Sequence, residues 1–212
     1  MSVDPGFLYR TCRERTTALV TAGVDETLPV PATPGWTVHD IIAHLAGVTE
    51  DATNGNMVGA PGDEWTAAQV ARGRSKSMDE LLAMWAERAP LVEAVFSSPE
   101  GAPRLAGVID VHTHEADLRH ALGLPVAVPA DFLDWVATRF RDGLAAQVAA
   151  AGLPPVTVGA SDFEWFRGRL GRRTVDEVCA YDWSADPAPY LDHFFVFGRA
   201  VESLHEHEVA TS

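Results

Sequence analysis

Proline and glycine fall in clusters along this chain, and the clusters cut it into pieces of helix length. Leu28-Pro-Val-Pro-Ala-Thr-Pro-Gly35, Gly59-Ala-Pro-Gly62, Ser98-Pro-Glu-Gly101, Gly123-Leu-Pro125 and Gly152-Leu-Pro-Pro155 cannot continue a helix. Between them apolar residues recur at helical spacing, as in Val38, Ile41, Ile42, Leu45 and Val48, and again in Leu81, Leu82, Trp85, Ala89 and Val92. Start signals precede several pieces: Asp4-Pro5, Thr37 with Asp40, Ser77 with Glu80, and Pro129-Ala-Asp131. The spacing predicts helices over about 4–21, 37–54, 78–97, 104–121 and 129–151, with a shorter one over 64–71. Four of these suit an antiparallel bundle. Val156-Thr-Val158 is the only strand expected. The last stretch, 161–212, reads as short helices with aromatic anchors at Phe163, Trp165, Phe166, Trp183, Tyr190, Phe194, Phe195 and Phe197, ending in a solvated His205-Glu-His207 tail. The expected organisation is mostly α: a bundle over 1–152 and a small, mainly helical appendage over 153–212 packed on it.

Charge narrows the function. The formal net charge is −14 over 212 residues, which repels phosphate backbones and anionic membranes, so no nucleic-acid or membrane partner is expected. No apolar run is long enough to span a bilayer, and no signal peptide is recognisable at the N-terminus. Cys12 and Cys179 form no framework and no CxxC, so both are read as reduced thiols of a cytoplasmic protein. There is no Ser-His-Asp order, phosphate loop or dinucleotide fingerprint.

Chemistry concentrates in Asp110-Val-His112-Thr-His114-Glu-Ala-Asp117-Leu-Arg119-His120. On a helix Asp110, His114 and Asp117 share one face, and a carboxylate and an imidazole one turn apart can grip one metal ion. A third ligand must come from another helix. His44, in the apolar setting Ile41-Ile-Ala-His44-Leu-Ala-Gly47, is the best candidate, with Ala43 and Gly47 permitting close approach. A hydrogen-bonded core histidine is the commoner role for such a residue, and His112 and His120 allow other pairings. His39 is read as exposed. Asp117 would orient a histidine or form a surface pair with Arg13 or Arg119. Trp36 is expected to pack at the helix entrance.

Pro34-Gly-Trp-Thr-Val-His-Asp-Ile-Ile-Ala-His44-Leu-Ala-Gly47 resembles the opening motif of the mycothiol-dependent maleylpyruvate isomerase family, within the DinB-like superfamily. Asp110-Val-His-Thr-His114-Glu-Ala-Asp117-Leu-Arg-His-Ala-Leu-Gly123 resembles its second motif. Phe163-Glu-Trp-Phe-Arg167-Gly-Arg-Leu-Gly171-Arg172-Arg173-Thr-Val resembles an Arg-rich C-terminal element of many members. The resemblance implies a DinB-like four-helix bundle holding a divalent metal, usually zinc, through His44, Asp110 and His114, with mycothiol as cosubstrate. Asp110 stands where the isomerase has glutamate, and the stretch between Pro155 and Phe163 is short for the strands of larger members. Arg167, Arg172 and Arg173 are candidates for binding carboxylates of the thiol or substrate.

The expected function is therefore a metal-dependent enzyme using mycothiol or a similar thiol, an S-transferase or cis-trans isomerase of a small electrophile, acting as monomer or homodimer. No catalytic acid or base is assigned. Two rivals stand beside it. One is a non-catalytic metal-binding bundle for a small molecule or partner; the other is a metal-assisted hydrolase, with Asp117 or His112 as the nameable bases.

Overall fold

A computed structural model describes residues 3–99, 101 and 105–206. The chain divides into two compact units, Met1–Leu124 and Pro125–Ser212. The first contains α1 (Pro5–Thr21), α2 (Val38–Asn54), α3 (Asp63–Gly73), α4 (Met78–Phe96) and α5 (Ala106–Ala121). The expected starts are built as the sequence suggests. Asp4 accepts from the Gly6 amide at the head of α1. Thr37 with Asp40, and Ser77 with Glu80, close reciprocal capping boxes on α2 and α4.

α1, α4, α2 and α5 pack in a closed ring, and α3 lies on α2. Side-chain partners give the directions. Gly6 and Asp4 at the head of α1 meet Glu93 and Ser97 at the tail of α4, so these helices are antiparallel. α2 and α4 run the same way: His39 reaches the Lys76 carbonyl just before α4, and Arg88 reaches Thr53 and Asn54 at the far end. The expectation of a uniformly antiparallel bundle therefore fails for this pair. Parallel neighbours need a crossover connection, and the segment carrying α3 supplies it.

The ring is filled by Leu8, Ile41, Ile42, Leu45, Leu81, Trp85, Val108, Val111 and Leu118, all nearly or fully buried. One run of its buried polar groups is satisfied in sequence. Trp85 Nε1 donates to the Tyr9 hydroxyl, Tyr9 donates to Thr49, and Thr49 donates to the Leu45 carbonyl. Burial pushes the Tyr9 hydroxyl up to about 12, so it stays a donor. Gly6 has no room for a side chain, because a Cβ there would fall on the Glu93 carbonyl and the Ser97 hydroxyl. Gly6→Ala is expected to cost ~1–3 kcal/mol through overpacking at the α1/α4 contact, read as a lower urea midpoint.

The second unit holds α6 (Ala130–Ala150), α7 (Asp162–Arg169), α8 (Val175–Cys179), a 3-10 turn (Ala188–Tyr190) and α9 (Leu191–Phe194). A two-residue strand β1 (Val158–Gly159) pairs antiparallel with β2 (Asp182–Trp183). The expected boundary at 152 lies after α6, whereas the compact division lies before it. The cause is packing: α6 lies against α7, with Phe132 edge-on to Phe166 at 5.2 Å. Phe194 is fully buried among Trp165, Tyr181 and Trp183. Phe197, expected as an anchor, is 48% exposed.

One expectation for the tail is corrected. Glu206 is not solvated: it accepts from Arg167 at 2.6 and 2.8 Å and from Arg173 at 3.0 Å, with the Glu206 and Arg167 side chains fully covered. Two guanidiniums create a demand for buried negative charge that a neighbouring glutamate meets. His207 lies outside the described residues. Among the described residues no helix is long and apolar enough to cross a membrane.

Candidate metal centre

His44 sits in the middle of α2, and Asp110 and His114 lie one turn apart on α5. The structure brings these three together within the first unit. His44 Nε2 lies 3.3 Å from one Asp110 oxygen and His114 Nε2 lies 3.4 Å from the other. One ligand atom from each residue falls within 4.8 Å of the other two. The imidazole rings stand edge-on with centroids 5.1 Å apart.

The outer ring nitrogens are both occupied. His44 Nδ1 is 2.9 Å from Gln69 Oε1, and His114 Nδ1 is 3.1 Å from Asp117 Oδ2. A ligating histidine characteristically donates its second N–H to a carboxylate or amide oxygen, which fixes the tautomer and aims the free lone pair at the ion. The donor set also fits in size. Donors about 2.0–2.2 Å from one zinc ion at tetrahedral angles lie roughly 3.3 Å apart, the spacing from each Nε2 to Asp110. Two imidazoles and one carboxylate leave a tetrahedral ion a position for another ligand.

Burial works against ionisation of Asp110, but the flanking imidazoles outweigh it and hold its carboxyl far below the usual range. Burial likewise opposes charge on His114, yet Asp110 and Asp117 together raise its pKa. The imidazole side chains of His44 and His114 are 5% and 7% exposed, whereas Asp110's carboxylate side chain is 31% exposed, so the centre opens to the outside on the Asp110 side. Trp36 walls it, with ring centroids 5.2 Å from His44 and 5.9 Å from His114. The proline-rich connector holds Trp36 in place: Pro29 bridges Thr37, and the Val30 amide donates to the Trp36 carbonyl.

Asp117 is fully buried against His114, while Arg13 pairs with Glu93 and Arg119 with Glu115. His112 points elsewhere, with Nδ1 2.8 Å from the Val108 carbonyl; burial drives its pKa down to about 4, so it is neutral. His39 is half-buried on the Lys76 carbonyl rather than exposed. The Cys12 thiol is buried and donates to Glu115, and burial pushes it well above the ordinary thiol range, so it is no nucleophile. In the second unit Arg173 binds Glu164 and Glu206, and Arg167 binds Glu206. Either would have to break a buried ion pair to hold another anion. Arg172 donates to the Leu170 carbonyl.

Sequence reasoning missed Gln69. Nothing in Asp63–Gly73 marks one glutamine of a short amphipathic helix as a partner of His44. Trp36 was placed only at the helix entrance, although its position eight residues before His44 in the opening motif was a usable hint.

Residues 9–113 match the family model described as the mycothiol maleylpyruvate isomerase N-terminal domain. The match runs from α1 through the first half of α5, includes His44 and Asp110, and stops one residue before His114. No curated protein and no solved structure matches the chain. The first unit is a DinB-like helical bundle and belongs to the mycothiol maleylpyruvate isomerase N-terminal domain family.

Proposed function

We propose that this protein is a metal-dependent enzyme that uses mycothiol or a related low-molecular-weight thiol, as an S-transferase or cis-trans isomerase of a small electrophilic substrate. The observation that carries this reading is the convergence of His44, Asp110 and His114, with each outer imidazole nitrogen already engaged, in a unit of a mycothiol-related family. These three residues would hold the ion, and zinc suits two imidazoles and a carboxylate. When bound, such a cation lowers the pKa of a coordinated thiol, so that the sulfur is available as thiolate at neutral pH.

The chain's own groups account for the rest of the site. Asp110 supplies the one negative charge among the three donors. Gln69 and Asp117 keep the outer N–H groups of His44 and His114 occupied. Trp36 covers both imidazoles and keeps water off that flank, and the partly exposed edge of Asp110 marks the side from which thiol and substrate enter. The Cys12 thiol, buried and tied to Glu115, is not offered to the centre as a nucleophile.

Elemental analysis of the purified protein is expected to find one divalent ion per chain. Mycothiol added to the cobalt-substituted protein is expected to produce a sulfur-to-metal charge-transfer band and to raise the melting temperature. A protein that takes up no metal, or a cobalt form whose spectrum and melting ignore the thiol, would remove the proposal.

A further inference from the structure

The geometry points to Gln69, on the crossover helix α3, as the positioning residue of His44: its carbonyl oxygen accepts the hydrogen bond of Nδ1–H and so commits Nε2 to the metal. This rests on the metal-centre reading above. The hydrogen-bond directions are forced by chemistry. Gln69 Nε2 lies 3.0 Å from Asp51 Oδ2, and a carboxylate held by Arg72 and Asn56 can only accept. The Gln69 amide must therefore turn its NH2 group to Asp51 and its oxygen to His44. An amide oxygen cannot donate, so His44 Nδ1 carries the proton. The chain of contacts runs His44, Gln69, Asp51, then Arg72 and Asn56. Gln69 and Asp51 are 1% and 3% exposed, so water does not compete for these bonds.

Backbone shape serves the same contact. A Cβ on Gly47 would stand 2.7 Å from the Gln69 Cβ, closer than real Cβ contacts allow. Only glycine at 47 lets α3 approach α2 near enough for Gln69 to reach His44, one turn earlier. Gly73 makes a second such approach against Ala43. The small residues flanking His44 are thus matched to α3.

His114 is held separately, through Asp117 on its own helix, and provides an internal control. In the zinc-loaded full chain, 15N imidazole spectra are expected to show His44 protonated at Nδ1, with a downfield, slowly exchanging proton, and metal-bound at Nε2. Gln69→Leu is expected to speed exchange of that proton while leaving the His114 Nδ1 proton unchanged, and to weaken zinc binding ~10–100-fold in competition with a chromophoric chelator. Gly47→Ala, which keeps the glutamine but displaces it, is expected to shift the same His44 signal. A merely structural role would disturb both histidines together. Zinc bound through His44 Nδ1 in the wild type, or an unchanged zinc affinity in Gln69→Leu, overturns the inference alone. Equal zinc binding by wild type and His44→Ala, or none by either, overturns the metal-centre reading as well.

Discussion

Asp110→Asn is expected to abolish stoichiometric metal binding while leaving the bundle folded. The carboxylate is the only formal charge among the three donors, and it faces two imidazoles that are neutral when they ligate. Unit charges about 4 Å apart attract by ~4 kcal/mol at the effective dielectric typical of protein sites, and the attraction doubles for a dication. Asparagine keeps the size and the oxygen but loses this term, so affinity should fall at least ~1,000-fold. At Asp110's partly exposed position the amide is solvated, and the fold has little reason to suffer. The measurement is inductively coupled plasma analysis after dialysis against a weak chelator, with circular dichroism as the fold control. Full metal content in a folded Asp110→Asn protein would show that the ion sits elsewhere.

Glu206→Gln is expected to destabilise the second unit by ~3–5 kcal/mol, because it removes the carboxylate that pairs with the fully buried Arg167 and strips one partner from Arg173. Val201, five residues before Glu206, is 94% exposed, and a substitution there would ordinarily be silent; the expected size of the effect at Glu206 comes from the ion pairs alone. The same contacts set a pH dependence. Burial opposes ionisation of Glu206, but Arg167 and Arg173 outweigh it and lower its pKa below the ordinary glutamate value. A carboxylate whose folded pKa is depressed binds fewer protons folded than unfolded, so stability rises with pH there. Its contribution is complete above the ordinary glutamate range near ~4.3 and is lost as pH falls through the lower folded value. Urea unfolding followed by near-ultraviolet circular dichroism should show a smaller acid-induced loss in Glu206→Gln than in the wild type. A midpoint unchanged by the substitution at neutral pH would mean that the buried pairs contribute nothing net.

Helices were legible because their signals are local. Asp4-Pro5, Thr37 with Asp40 and Ser77 with Glu80 are caps that act within four residues, and the structure starts α1, α2 and α4 where they stand. The Asp110/His114 half of the site was legible for the same reason, since one helical turn fixes their spacing. Joining His44 to them took the resemblance between two motifs at the level of sequence; in space it took the packing of α2 against α5.

What tertiary structure alone decided is non-local. The parallel run of α2 and α4 follows from which faces are buried together, and no residue in either helix encodes it singly. Gln69 became His44's partner because Gly47 admits α3 and Asp51 turns the amide, three positions on two helices acting at once. Glu206 looked like solvated tail because its charge is a surface charge by composition; two buried guanidiniums, more than thirty residues away in the chain, made it core. The sequence by itself determined the helices and the chemical types available to the site, because propensity and spacing act at short range. Which imidazole nitrogen faces inward, and which charges are buried, waited on packing, because both depend on partners that only the folded chain brings within hydrogen-bond distance.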